Sequence, residues 1–254
     1  PLAIVAAGAA LHYLSETHHD KTAHITSIAR LEEDKYVWLD RFTIRNLELI
    51  YGLNENARSL LDVFDHTTSP MGARLIRRYL TLPLKERQPV EERHEMTAWF
   101  TEHSSEREEI ISYLKQTGDL ERLISKAAVG RINPREMLQV KKALDSVGLI
   151  KNRLIEVSCQ PLQRLAHQLN PCEIITSTIH THIQPDPPVQ VNKGGVIAQG
   201  INPELDELRT LLNSGKEYLN MILQREITNT GITSLKISFN NVFGYYLEVT
   251  NAHK

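Results

Sequence analysis

The chain has 254 residues, with 29 Lys and Arg against 31 Asp and Glu; a net charge of −2 exerts no overall pull on a polyanion, so any nucleic-acid contact must rest on a local patch. A hydrophobic content of 41% suffices for a core, and 6% aromatics suits helices better than a β-sandwich. Cys159 and Cys172 exclude a disulfide or cysteine–metal framework and point to reduced thiols in the cytoplasm, and no apolar run approaches the ~18 residues of a membrane span.

No Met or signal-peptide pattern opens the chain at Pro1, and it stops at Lys254 just past a strand, so both ends read as cuts inside a longer protein. Residues 1–16 are small and apolar, with Leu11, Tyr13 and Leu14, and read as a helix that packs on something upstream. His18, His19 and His24 follow in a loop without a Cys, which reads as a solvated linker rather than a metal set. Residues 36–39 are a short apolar strand candidate, after which Asp40 caps a helix whose inner face carries Ile44, Leu47 and Ile50. Thr68 or Ser69 caps the next helix, with Pro70 at its first position and Gly72 allowing close helix packing. Arg74, Arg77 and Arg78 gather on one side of that helix. They suit either a phosphate or carboxylates such as Asp62 and Asp65; finding both signs in one segment favours the carboxylates.

Amphipathic helices follow at 89–103, 105–116, 119–129 and 134–157, their starts marked by Pro89, Ser104, Gly118-Asp119 and Asn133-Pro134. The carboxylate pairs Glu91-Glu92 and Glu108-Glu109 cannot converge on one bond, because adjacent helical residues point apart, so they read as solvated faces. Lys141, Lys142, Lys151 and Arg153 read as solvent-facing too. Residues 161–183 give two short helices around Asn170-Pro171, and the pair His180 and His182 lacks the further ligands a metal needs. Residues 185–202, rich in Pro and Gly, read as an extended crossing segment with brief strands at 190–192 and 196–198.

Residues 202–250 read as a long helix feeding a hairpin. Asn202 caps it, Pro203 suits its first turn, and Glu204, Asp206 and Glu207 sit where the helix dipole favours negative charge. Leu205, Leu208, Leu212, Leu219 and Ile222 build one apolar stripe, widened by Leu211 and Tyr218, and Gly231 is a natural stop. A helix of about 26 residues is on the order of 40 Å long. The pattern then changes to period two: Leu235, Ile237 and Phe239 alternate with Ser234, Lys236 and Ser238, turn residues run from Asn240 to Gly244, and Tyr245, Leu247 and Val249 alternate again.

Four runs carry a family resemblance. Asp40-x-x-Thr43-x-Arg45-Asn46-Leu47-Glu48, the segment from Leu60-Leu61 through Thr67-Thr68-Ser69-Pro70-Met71-Gly72-Ala73-Arg74 to Pro83-Leu84, Asp119-Leu120-Glu121-Arg122, and Gly194-Gly195-Val196-Ile197 leading to Phe243-Gly244-Tyr245-Tyr246-Leu247-Glu248-Val249 appear in one order. Together they resemble the MutS family of DNA mismatch-recognition ATPases. Ile44 and Arg45 stand where many members have two arginines. The resemblance implies a mainly α fold: the end of a connector domain at 1–25, a multi-helical core at 26–203, a lever helix at 204–230 and the first half of a clamp domain at 231–254. It implies that the full protein clamps double-stranded DNA, finds mismatches, hydrolyses ATP with Mg, forms a homodimer and meets a MutL-type partner. It also implies that the clamp touches the phosphate backbone without reading bases, which makes Lys236, Asn240, Asn241 and Tyr245 the candidate contacts. Many members are basic at the position of Asn241, which weakens contact here, and Asn240 and Asn241 suit a purely turn-forming role equally well.

This chain contains no G-x-x-x-x-G-K-[ST] phosphate loop and no Phe-x-Glu mismatch-reading motif in a suitable context. Neither ATP hydrolysis nor mismatch finding is therefore expected of it, and it needs no cofactor of its own. Its expected role is to couple those two functions; the alternative is a helical scaffold or adapter for proteins, with no role in nucleic-acid binding. Unpaired hairpin edges and an uncovered helix stripe further predict self-association through 202–250.

Overall fold

A computed structural model describes residues 2–17, 25–27, 29, 33–54 and 56–249, so His18, His19, His24 and Thr250 lie outside the described residues. The fold is mainly α, with 64% of the described residues helical and a two-stranded antiparallel hairpin toward the C-terminal end. The chain divides into two compact units, Pro1–Ile197 and Ala198–Lys254.

The first unit opens with α1 (Leu2–Glu16), which buries none of its residues. The apolar run at 36–39 does not form a strand: Tyr36 makes a single antiparallel bridge to Leu84, with Val37 N–H donating to the Pro83 carbonyl at 2.8 Å. Asp40 caps α2 (Arg41–Asn46) by accepting from the Thr43 N–H at 2.7 Å. The helix stops there because Glu48 takes a left-handed φ of 48°, while its carboxylate accepts the Leu53 N–H at 2.7 Å. Leu49 and Ile50 are consequently buried and Leu47 is thrown to solvent, 60% exposed, so only part of the expected inner face exists.

In α3 (Leu60–Phe64), Ser59 and Asp62 form a reciprocal capping box. In α4 (Pro70–Thr81), Ser69 caps the helix and Pro70 takes its first position. Gly72 serves its own helix start rather than a helix contact, since a Cβ there would sit 3.1 Å from the Thr67 Cβ.

The remaining helices of the unit are α5 (Arg87–Glu102), α6 (Ser104–Thr117), α7 (Leu120–Ala128), α8 (Pro134–Ile155), α9 (Gln160–Gln168) and α10 (Glu173–His182). The longest of these, α8, starts with a second capping box, Asn133 with Glu136, and its buried stripe packs toward α6, α7, α9 and α10. Ile150, Leu154 and Val157 meet Ile110, Cys159, Leu162 and Ala166 in one cluster, closed by Met96, Trp99, Phe100 and Tyr113. Val140 and Leu144 meet Ile179 in a second cluster.

Polar side chains fasten the outside of this bundle. Arg153 is not solvent-facing as its sequence context suggests: its Nε lies 2.9 Å from Glu109, with Glu106 at 3.5 Å, and the Tyr113 hydroxyl donates to Glu109 at 2.7 Å. The adjacent Glu91 and Glu92 diverge as helix geometry requires, Glu91 to Arg87 within α5 and Glu92 to Arg164 of α9 at 3.0 Å. Of the strands expected in the crossing segment, 190–192 is part of a 3₁₀ turn (Val191–Lys193) and its flank, and 196–198 makes only the bridge Ile183–Ile197.

The second unit is α11 (Pro203–Thr230) followed by β1 (Lys236–Asn240) and β2 (Gly244–Glu248). The Asn202 side chain accepts from the Leu205 N–H, and Gly231 ends the helix at φ 69°, donating its N–H to the Ile227 carbonyl. That left-handed stop is one glycine adopts without a Cβ penalty.

Candidate nucleic-acid interface

Strand alternation sorts the hairpin into two faces. The register pairs Lys236 with Glu248, Ser238 with Tyr246 and Asn240 with Gly244 on one face; Ile237 with Leu247 and Phe239 with Tyr245 share the other. Lys236 and Asn240 are therefore together, whereas Tyr245 is on the opposite side, its ring 5.0 Å from that of Phe239. The tyrosine that accompanies Lys236 is Tyr246, 43% exposed, which period-two counting from Lys236 through the turn would have found.

The chemistry of the Lys236 face is mild. Glu248 stands directly across from Lys236 and accepts the Ser238 hydroxyl at 2.9 Å, so one carboxylate offsets one ammonium. The Asn240 Oδ1 accepts the Val242 N–H at 2.7 Å, a turn-forming bond that leaves its amide N–H free to donate. Asn241 is exposed at the tip beside Val242 and Phe243, each 80% exposed. The arrangement can offer amide donors and one cation to an anionic backbone, with no constellation for bond making. Among the described residues no group of three or more His, Cys, Asp or Glu is placed to hold a metal, and the His182 Nδ1 lies 2.9 Å from the Thr178 carbonyl of its own helix. No helix among the described residues is long and apolar enough to cross a membrane.

Two arginines of α4, Arg74 and Arg77, are committed to protein partners, but not to the nearby Asp62 and Asp65, which bond Ser59 and Thr67. The Arg74 guanidinium instead spans to Asp119 in a bidentate pair, at 2.7 and 3.1 Å, and to Glu121 at 2.5 Å. Arg77 donates to the Tyr51 hydroxyl at 2.7 Å and lies over its ring. The hydrogen bonds to Asp119 and Glu121 raise the Arg74 pKa above its ordinary value, and the bond from Arg74 is the main cause that holds Asp119 below the usual carboxylate range.

A depressed folded-state pKa stabilises above the ordinary carboxylate value and loses that contribution as pH falls through the folded value. Acidification below about pH 4 should therefore weaken the chain, and Asp119→Asn should shrink the difference between urea midpoints at pH 5 and pH 3. An unchanged difference in the variant would show that this pair contributes nothing to the acid response.

The family model for MutS domain III matches residues 42–240. The chain is 51% identical over 253 residues to a protein of Parabacteroides distasonis named DNA mismatch repair protein MutS, covering 100% of this chain and 29% of that protein. It is 53% identical over 251 residues to the protein of that name in Phocaeicola vulgatus, covering 99% of this chain and again 29% of the relative. A helical segment ending in a hairpin of this composition, matched over most of its length, defines a central MutS segment. The chain belongs to the MutS family, as its domain III, and spans 29% of the length of these curated relatives.

Proposed function

We propose that the chain is the coupling segment of a DNA mismatch-repair protein, linking an ATPase region to a DNA clamp and touching the duplex backbone without sequence preference. The observation that carries this reading is α11: 28 residues without a break, about 42 Å long, followed after Gly231 by the hairpin. A helix of that length carries displacement from one end to the other, and the hairpin at its end presents Lys236, Asn240 and Asn241. ATP, Mg, the second copy and a MutL-type partner belong to the full-length protein, acting in the cytoplasm on double-stranded DNA. This chain itself, without a phosphate loop, should turn over no ATP.

The test is Lys236→Glu in the full-length protein, read by equilibrium binding to matched and mismatched duplex across a salt series. Loss of one phosphate contact should weaken both duplexes alike and lower the salt slope by about 1. A change confined to mismatch preference would overturn the backbone assignment, and salt-independent binding without preference would favour the scaffold.

The isolated chain should also self-associate through 202–250. None of the α11 side chains is buried, and Leu208, Leu211, Leu212, Tyr218 and Met221 are 57–63% exposed. Apolar area of this kind is stabilised by about 25 cal/mol per Å² once covered. Sedimentation at micromolar concentration should show dimers or larger species; a monomer with protected hairpin amides would contradict this.

A further inference from the structure

We propose that the first unit carries an anion-binding cleft, suited to a ligand with two or more phosphates, where α6 meets α7 against α8. The cleft has a volume of about 530 Å³, and Lys115, Thr117, Asp119, Arg122, Glu136 and Lys142 contribute to its lining. Its cations come from three separate helices: Lys115 from α6, Arg122 from α7 and Lys142 from α8.

The carboxylates that would neutralise them are already committed. The Asp119 oxygens take the Arg74 guanidinium and the Arg122 backbone N–H. Those of Glu136 take the Lys126 ammonium and, at 3.1 Å, the Asn133 N–H. Arg122 also acts electrostatically on both of these carboxylates, whereas among the described residues the side chains of Lys115 and Lys142, which line the cleft, make no hydrogen bond or ion pair. The neighbourhood thus holds a surplus of positive charge in a chain whose net charge is −2.

Two other concavities among the described residues lack this character. That between α8 and α10 sets Lys151 beside Asp145 and Glu173, and that between α5 and α6 is lined by Phe100, Ile110, Ile111 and Leu114. Separated cations in a cleft of this size suit successive phosphates rather than a single one. Both a free oligophosphate and a nucleic-acid backbone supply that chemistry.

Calorimetric titration of the full chain with tripolyphosphate tests the site, and competition with a short DNA duplex identifies the source. Saturable binding is expected, with affinity about tenfold lower in the Lys115→Ala/Lys142→Ala double variant and unchanged in Lys151→Ala. Displacement by the duplex assigns the cleft to nucleic-acid backbone, and failure to displace assigns it to free oligophosphate. No saturation at millimolar tripolyphosphate, or equal affinity in the double variant, would overturn the proposal.

Discussion

Leu162→Ala should destabilise the first unit by about 2–5 kcal/mol. Leu162 is 2% exposed and stands among Ile110, Ile150, Leu154, Val157, Cys159 and Ala166. It lies on α9, a short helix of 9 residues whose apolar side is what docks it onto α8 and α5. Truncation removes the buried methyl groups and leaves a cavity that helices fixed by Met96, Trp99 and Phe100 collapse into only partly. The neighbouring Leu165, 43% exposed, supplies the control, and Leu165→Ala should shift stability far less. Urea denaturation followed by circular dichroism reads both. Equal midpoints for the two variants would show that the α9 interface is not specifically packed.

Helix starts were legible in the sequence because capping is local. Ser69-Pro70, Asn133-Pro134 and Asn202-Pro203 each place a side-chain oxygen within reach of an amide three residues on, and all three start helices. The Gly231 stop was legible for the same reason. What depended on distant partners was not. Arg74 finds its carboxylates 45 and 47 residues away, so no window on α4 contains them. The runs at 36–39 and 196–198 have strand composition, but each gains one bridge, since a strand exists only where a partner continues the ladder. The hairpin is legible in its alternation, yet Tyr245 enters the candidate contacts beside Lys236 only through the family resemblance, and the register puts the two on opposite faces. The α11 stripe announced a helix through its spacing; burial is a property of what covers the stripe, and that information is not in the spacing.

The lever reading makes its sharpest demand at Gly215, near the middle of α11. A Cβ at Gly215 would meet nothing within 4 Å, so Gly215→Ala fits without strain and should stabilise the helix by about 0.5–1 kcal/mol. Gly215→Pro removes the amide that bonds the Leu211 carbonyl and drives the ring into that turn, at a cost of about 3 kcal/mol or more and with a kink. The two substitutions thus act on one position in opposite directions while touching no ligand. If α11 couples the two regions as proposed, the Ala variant of the full-length protein should keep the wild-type ratio of duplex affinities with and without ATP. The Pro variant should still bind nucleotide and still bind duplex through its clamp, but lose the influence of the first on the second, so that the ratio of duplex affinities with and without ATP moves toward one. Fluorescence anisotropy of labelled duplex, with and without ATP, measures that ratio. If Gly215→Pro keeps the wild-type ratio while circular dichroism confirms the broken helix, coupling does not travel along α11 and the lever assignment fails.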